Sequence, residues 1–281
     1  MNIWIQGARP RTLPAAIAPV VVATVLAGSH WKPLQALLAL FVSLALQVAV
    51  NFSNDYSDGI RGTDDNRVGP IRITASKLAS AESVKRAAII SFALASLAGL
   101  ILAYLSSYWI IAIGVAAIAA AWGYTGGKNP YGYKGLGEMS VFVFFGVVAT
   151  MGTYYVQTLD ITWNAFAASV PMGSLSCALL AINNLRDREQ DQLVGKRTLA
   201  VRIGDRGSRV FFVSLIASAY IFAFLAGSAW TLLTLLTLPL SLPLARTVLK
   251  GASRAELVPL LGATGKLQLA FAIIFAASLA L

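Results

Sequence analysis

Apolar runs separated by polar connectors dominate the hydrophobic pattern of this chain. Each run approaches the roughly 20 residues that a helix needs to cross the hydrocarbon core of a membrane. The pattern therefore predicts an all-α membrane protein whose transmembrane helices surround a central cavity. Nine spans are predicted, at about 12–29, 33–53, 83–105, 108–124, 137–157, 163–185, 208–228, 230–249 and 259–280.

The positive charges predict the orientation of these spans. All but two of the 22 Lys and Arg residues lie at the N-terminus or in and beside the connectors 54–82, 125–136, 186–207 and 250–258. Cytoplasmic connectors are enriched in Lys and Arg. We therefore expect a cytoplasmic N-terminus and an outer C-terminus, with every long polar connector on the cytoplasmic side.

Two polar stretches end predicted spans and repeat each other. Asn183 and Asp187 follow Asn54 and Asp58 by the same 129 positions, and this offset also places the second span on the sixth. The offset predicts one domain over 1–281, with an internal repeat at about 12–124 and 137–249 and a ninth helix at 259–280. Repeats related by an axis along the membrane normal would bring both stretches to one side of the membrane, across a cavity.

Composition narrows the class of protein. The chain is 57% hydrophobic and 12% charged, with a mean hydropathy of +0.72, whereas a soluble domain is roughly 25% charged. The net charge of +10 follows from the connectors and does not indicate nucleic-acid binding. One cysteine, Cys177, excludes an intrachain disulfide, and one distant histidine, His30, disfavours a histidine-based metal site.

Carboxylates and amides recur at helical spacing in both stretches. Asn54 and Asp58 are one turn apart, and Asn183, Asp187 and Asp191 form a stripe at i, i+4 and i+8. Carboxylates at the edge of a membrane are costly and usually functional. Oxygen ligands without histidine or cysteine suit Mg²⁺, which completes its shell with water and phosphate. The sequence therefore predicts a metal-bound diphosphate between the two stretches.

Basic and aromatic residues accompany these stretches. The basic residues can stabilise charge on a departing diphosphate, although each also fits the orientation rule alone. Aromatic faces can shelter an allylic cation, although packing explains most of them equally well. The predicted substrate-binding residues include Asn51, Arg67, Arg72, Lys77, Tyr124, Lys128, Tyr133, Asn183, Arg186, Lys196 and Arg197.

The two stretches resemble the motifs of a known family. Asn-Asp-Tyr-Ser-Asp at 54–58 and Asn-Asn-Leu-Arg-Asp-Arg-Glu-Gln-Asp at 183–191 are similar to those of the UbiA superfamily of intramembrane aromatic prenyltransferases. Segments 9–13, 132–138 and 195–204 resemble the branch that acts on 1,4-dihydroxy-2-naphthoate in menaquinone synthesis.

This resemblance implies a Mg²⁺-dependent reaction, with two ions, in which a polyprenyl diphosphate prenylates the naphthoate. Loss of CO₂ and diphosphate would give demethylmenaquinone, at a site facing the cytoplasm from the cell membrane. The expected metal ligands are Asn54, Asp58, Asp64, Asp187 and Asp191, where Asp64 or Asp65 would replace an acidic residue that the family often carries at the position of Gly62. The residues expected to act in the chemistry are Asp58, Asp187, Asp55 and Lys134, with Arg11 or Lys134 meeting the acceptor carboxylate.

Three alternatives remain at this point. Another aromatic acceptor, such as 4-hydroxybenzoate or homogentisate, would use the same motifs. A membrane transporter also fits internal repeats, but the polar residues cluster at one face instead of mid-membrane. A CDP-alcohol phosphotransferase is suggested by Asp58-Gly59-x-Arg61, but 62–75 lacks the further acidic residues that this signature needs.

Overall fold

The computed structural model describes residues 2–64 and 68–281, and every regular element within these two ranges is helical. The helices vary in length, and three of them contain non-α segments, of which the shortest is the 3₁₀ turn Arg254–Glu256 at the start of α10. Helix α6 includes a π-helical stretch, Phe142–Val148, and α9 begins as a 3₁₀ helix, Ala229–Thr237. The helices are α1 (Ile3–Ala8), α2 (Pro14–Leu26), α3 (Pro33–Ile60), α4 (Ala81–Leu105), α5 (Trp109–Gly123), α6 (Gly137–Thr158), α7 (Trp163–Leu193), α8 (Leu199–Leu225), α9 (Ala229–Leu249) and α10 (Arg254–Leu279).

Seven of these helices are long and apolar enough to cross a membrane: α3, α4 and α6 to α10. Helices α2 and α5 are apolar but shorter, with 13 and 15 residues. Each predicted span coincides with a helix in the described ranges, so the prediction of an all-helical membrane protein is confirmed.

Three helix boundaries differ from the predicted spans. Helices α3 and α7 continue through the polar stretches, to Ile60 and Leu193, instead of ending at 53 and 185. A helix satisfies its backbone hydrogen bonds whatever its side chains are, and the polar side chains here find partners of their own. Helix α8 begins at Leu199, before the predicted 208, and breaks at Gly204, whose φ of 72° suits glycine.

Helix α7 is the central helix and is buried along nearly its whole apolar length. It is rich in alanine and serine and contains Gly173, and such small residues let neighbouring backbones approach closely. A Cβ atom on Gly146 of α6 would lie 2.5 Å from the Cα atom of Gly173 of α7. This close crossing brings the π-helical stretch of α6 against α7.

The main apolar core lies between α2, α7, α8 and α10. Met172 and Leu175 of α7 pack there with Phe212 of α8 and with Phe271 and Phe275 of α10. Outside this core, α3 packs along α4. Residues of both groups of helices line the cavity described below.

Candidate active site

A cavity of about 780 Å³ is lined by residues of both polar stretches. Its lining changes from apolar to polar along α3, from Ala39 and Leu46 to Asn54 and Asp58. Helix α7 shows the same change, from Leu179 to Asp191. The cavity thus has a polar end, where these two helices end, and an apolar remainder. Within residues 2–64 and 68–281, the cationic residues that line it are Arg9, Arg11, Arg72 and Lys196.

Asp58 and Asn54 of α3 are held by side chains from two distant connectors, 124–136 and 194–198. The Oδ1 atom of Asp58 accepts a hydrogen bond from the hydroxyl of Tyr133 at 2.7 Å, and its Oδ2 atom lies 3.0 Å from Nζ of Lys196. The Oδ1 atom of Asn54 accepts from the hydroxyl of Thr125 at 2.7 Å. Because these partners satisfy the polar groups, the helix can carry them in a buried environment.

Lys196 and Tyr133 form one charged unit with Asp58. The Nζ atom of Lys196 lies 4.7 Å from the centroid of the Tyr133 ring, a cation–π distance. Burial alone would lower the pKa of Lys196, but the carboxylates of Asp58 and Asp191 raise it above its usual value. Burial and the Asp58 carboxylate raise the pKa of Tyr133. Lys196 therefore keeps its positive charge at the polar end of the cavity.

The second stretch is organised by Arg186. Its Nε and Nη2 atoms each donate to one carboxylate oxygen of Asp187 at 2.7 Å, and Nη2 also donates to Oδ1 of Asn183. A Cβ atom on Gly69 would lie 3.0 Å from Cζ of Arg186, so the backbone of the loop at 69 rests on this guanidinium. Asn183 and Asp191 line the cavity. Arg186 therefore fixes the second stretch and supports the loop that follows the first.

Asp55 faces that loop instead of the cavity lining. It is fully buried, and its Oδ2 and Oδ1 atoms accept hydrogen bonds from the backbone amides of Ile73 at 3.0 Å and Thr74 at 2.9 Å. Arg72, the residue before Ile73, lines the cavity. It forms an ion pair with Asp64, in which Nε of Arg72 lies 3.2 Å from Oδ2 of Asp64. These contacts favour a role for Asp55 in placing the loop, and a role for Asp64 in placing Arg72.

The remaining predicted residues separate into three groups. Asn51 and Tyr124 line the cavity, as does Arg11, which is otherwise exposed. Arg67 and Asp65 lie outside the described residues. The structure places four basic residues on the exposed surface and not in the cavity lining: Lys77, Lys128, Lys134 and Arg197. Surface positions fit the orientation rule for cytoplasmic connectors, and the roles given to these four residues stay predictions.

Sequence reasoning missed several contacts at this site. The Nη2 atom of Arg9 donates to the backbone oxygen of Asn51 at 3.1 Å, and Arg9 lines the cavity. Arg61 donates to the backbone oxygens of Thr125 and Gly127, which fixes the connector that reaches Asn54. Arg9 begins the segment 9–13 that the resemblance singled out, whereas nothing local in the sequence marks Thr125.

The donor set fits Mg²⁺. Among the described residues, no three carboxylate, histidine or cysteine side chains gather into a ready-made metal site. Mg²⁺ usually takes only one or two carboxylates and fills its shell with water and substrate phosphate. Asn54, Asp58, Asn183 and Asp191 offer oxygen donors from both helices to the same cavity, beside cations that suit a phosphate.

Comparisons with known proteins agree with this geometry. The sequence model described as the UbiA prenyltransferase family matches residues 16–259. The chain is 50% identical over 284 residues to a 1,4-dihydroxy-2-naphthoate octaprenyltransferase of Mycobacterium tuberculosis, covering 99% of this chain and 96% of that one. It is 38% identical to the protein of the same name in Escherichia coli, covering 94% and 90%.

A solved structure shares the fold. The structure of a UbiA homolog from Archaeoglobus fulgidus bound to GPP and Mg²⁺ superposes with a TM-score of 0.66 at 15% identity, and covers 98% of this chain and 100% of that one. The family model spans most of the chain, and the two curated relatives cover nearly all of it. The chain therefore belongs to the UbiA prenyltransferase family.

Proposed function

We propose that this chain is a 1,4-dihydroxy-2-naphthoate polyprenyltransferase. It transfers a polyprenyl group from polyprenyl diphosphate to the ring carbon that carries the carboxylate. The allylic C–O bond breaks, a C–C bond forms, and diphosphate and CO₂ leave. The product is demethylmenaquinone, formed in its hydroquinone state. The names of the relatives support the acceptor, and one cavity with a polar and an apolar end supports a lipid diphosphate.

The polar end would hold the diphosphate. Lys196, Arg72, Arg9 and Arg11 line it and supply positive charge, which stabilises a leaving group most strongly where water is excluded. Lys196 stays protonated because of its neighbouring carboxylates. These side chains would orient the head group so that the allylic carbon points into the apolar part of the cavity.

Both polar stretches would hold Mg²⁺, one ion each. The proposed ligands are Asn54, Asp58, Asp187 and Asp191. Two solved structures of UbiA homologs contain a bound prenyl diphosphate together with Mg²⁺, which supports a metal-dependent site. Bound Mg²⁺ supplies charge neutralisation on the diphosphate. Asp64 stays a further candidate ligand, because its ion pair with Arg72 is of the same kind as those of Asp58 with Lys196 and Asp187 with Arg186.

The apolar part of the cavity would hold the polyprenyl tail and the reacting carbon. The π-helical stretch of α6 turns two consecutive residues, Phe144 and Phe145, toward the cavity, and such stretches are frequent at functional sites. Together with Tyr124 they offer aromatic faces to an allylic cation.

We propose nine membrane crossings with a cytoplasmic N-terminus and a cytoplasmic active site in the plasma membrane. Helices α2 and α5 would provide the two crossings beyond the seven long ones. The exposed aromatic residues near the short connectors support a second interface opposite the polar loops. They are Trp31, Tyr104, Tyr108, Trp109, Trp163 and Trp230. The 129-residue offset supports an ancient duplication of four helices.

Labelling of single cysteines tests this orientation. Cys177 is buried and can be replaced by serine to give a cysteine-free background. Asp160 and Asn129 are both exposed, and the proposed topology puts them on opposite sides of the membrane. In intact cells, a membrane-impermeant maleimide should therefore label Asp160→Cys and spare Asn129→Cys. The reverse pattern would overturn the orientation.

One assay tests the activity. Purified protein is given a polyprenyl diphosphate and a panel of aromatic acceptors, with and without Mg²⁺. We expect a prenylated product and release of CO₂ with dihydroxynaphthoate, and no turnover after chelation of Mg²⁺. Turnover only with 4-hydroxybenzoate or homogentisate would move the chain to another branch, and no product with any acceptor would overturn the enzyme assignment.

A further inference from the structure

A buried carboxylate at the start of α6 has no place in the mechanism above. Glu138 is 6% exposed, and its Oε1 atom accepts a hydrogen bond from Nδ2 of Asn184 at 2.9 Å. Its Oε2 atom is buried without a hydrogen-bond partner among the described residues. A carboxylate inside a membrane helix is costly and marks a functional position by default. The contact with Asn184 indicates what that function is.

Glu138 determines how Asn184 faces the cavity. The amide nitrogen of Asn184 points toward Glu138 and donates to its Oε1 atom, which accepts as a carboxylate oxygen does. The amide oxygen is then left for the cavity that Asn184 lines. Without Glu138 the amide could turn and present its nitrogen instead. The pair therefore places a hydrogen-bond acceptor of fixed orientation in the cavity wall.

This acceptor lies between the polar end and the apolar part of the cavity. Asn184 precedes Asp191 by two helical turns on α7, which is about 10 Å along the axis. Its neighbour one turn deeper, Leu180, is apolar and also lines the cavity. Tyr124 and Tyr131, whose ring centroids are 5.6 Å apart, line the same cavity. A flat ring that meets the allylic carbon would lie at this depth.

We propose that Asn184 accepts a hydrogen bond from a ring hydroxyl of the aromatic acceptor, and that Glu138 is the positioning residue that fixes its amide. This inference rests on the proposed function. A buried hydrogen-bonding group discriminates strongly against a ligand that lacks its partner. Glu138 and Asn184 would thus select hydroxylated rings, and they would contribute nothing to binding of the prenyl donor.

Steady-state kinetics of matched variants tests the assignment. Glu138→Met and Asn184→Leu should each raise the KM for dihydroxynaphthoate about tenfold, as expected for one lost hydrogen bond, with the KM for polyprenyl diphosphate within about twofold. Glu138→Gln should keep the acceptor KM of the parent, because its amide oxygen can still accept from Asn184. The double variant should be no worse than Asn184→Leu alone, since Glu138 acts through Asn184.

Gln157→Met is the control. Gln157 is fully buried on the same helix, bonds Thr153, and is not part of the cavity lining, so its loss should leave the acceptor KM unchanged. An unchanged acceptor KM in Glu138→Met, or additive effects in the double variant, would overturn the inference. If Glu138→Met does not fold, the Glu138→Gln variant decides the question. An acceptor KM raised as much in Glu138→Gln as in Asn184→Leu would also overturn the inference.

Failure of the proposed function would look different. If the parent protein makes no prenylated product, the activity assignment fails. Equilibrium dialysis of dihydroxynaphthoate against the parent, Glu138→Gln and Asn184→Leu then still measures the contact directly. Equal affinity in all three would overturn it.

Discussion

Asp55 offers the sharpest test of how the polar loop is placed. Its carboxylate accepts two backbone hydrogen bonds, from Ile73 at 3.0 Å and Thr74 at 2.9 Å, in a fully buried position. The residue just before this anchor, Arg72, lines the cavity. Asp55→Asn keeps the shape of the side chain but replaces one acceptor oxygen by an N–H group that faces a backbone N–H.

The free energy lost in Asp55→Asn can be estimated from these two hydrogen bonds. A hydrogen bond to a charged group contributes about 1.5–3 kcal/mol, and a buried donor left without a partner costs about 1–3 kcal/mol. Asp55→Asn should therefore weaken the anchor of the loop by about 3 kcal/mol, close to a hundredfold in an equilibrium constant. If the loop must be closed for Arg72 to meet the diphosphate, the KM for polyprenyl diphosphate should rise by up to that factor, with kcat changed much less.

Hydrogen exchange separates this role from a role in the chemistry. In the parent, the amides of Ile73 and Thr74 should be protected, and in Asp55→Asn they should exchange faster. Gly59→Ala should act in the same way, because its Cβ atom would lie 2.5 Å from Cγ2 of Thr74. Glu82→Gln, on an exposed carboxylate, should change neither measurement. A normal KM and normal protection in Asp55→Asn, with a kcat lowered a thousandfold, would refute this reasoning.

Three further predictions concern the metal and the packing. Asp58→Asn and Asp187→Asn should each abolish turnover while the folded protein stays in the membrane, and full activity in either would refute the metal assignment. Mg²⁺ should raise the Tm of the Lys196→Met variant by more than it raises the Tm of the parent. A ligand that binds only the folded state stabilises it, and in this variant Asp58 can bind Mg²⁺ without losing an ion pair. Equal shifts of Tm in the two proteins would contradict Asp58 as a ligand. Gly146→Ala should lower Tm by several degrees, because the new methyl group would meet the backbone of Gly173 at 2.5 Å, and an unchanged Tm would show that this crossing can open without cost.

The sequence predicts the helices well because membrane spans are a matter of length and polarity. An apolar run near 20 residues has few alternatives to a helix in lipid. The helix ends are less predictable, because the residues there are polar and yet remain helical. Residues 54–58 are polar and yet helical, because Tyr133, Lys196 and Thr125 satisfy them from outside the helix.

The basic residues of the site were harder to assign than the acidic ones. Positive charge in a cytoplasmic connector follows from topology alone, so a lysine in the cavity and a lysine on the surface look alike in sequence. Lys196 meets Asp58 across 138 positions of chain, and Lys128 is exposed. Only the fold distinguishes them. The repeat was more informative, since the 129-residue offset singles out Asn54 and Asp58, and Asp55 is the residue that turns to the loop.

The carboxylates of this site illustrate why burial and function coincide. An isolated buried charge costs several kcal/mol, and this cost is relieved only by a partner of good geometry. Asp58 has Lys196, Asp187 has Arg186, and Asp64 has Arg72. Each of these three carboxylates thus has a cation beside it before any substrate binds. Two of these cations, Arg72 and Lys196, also line the cavity in which the diphosphate is proposed to bind, so losing either of them should affect stability and donor binding together.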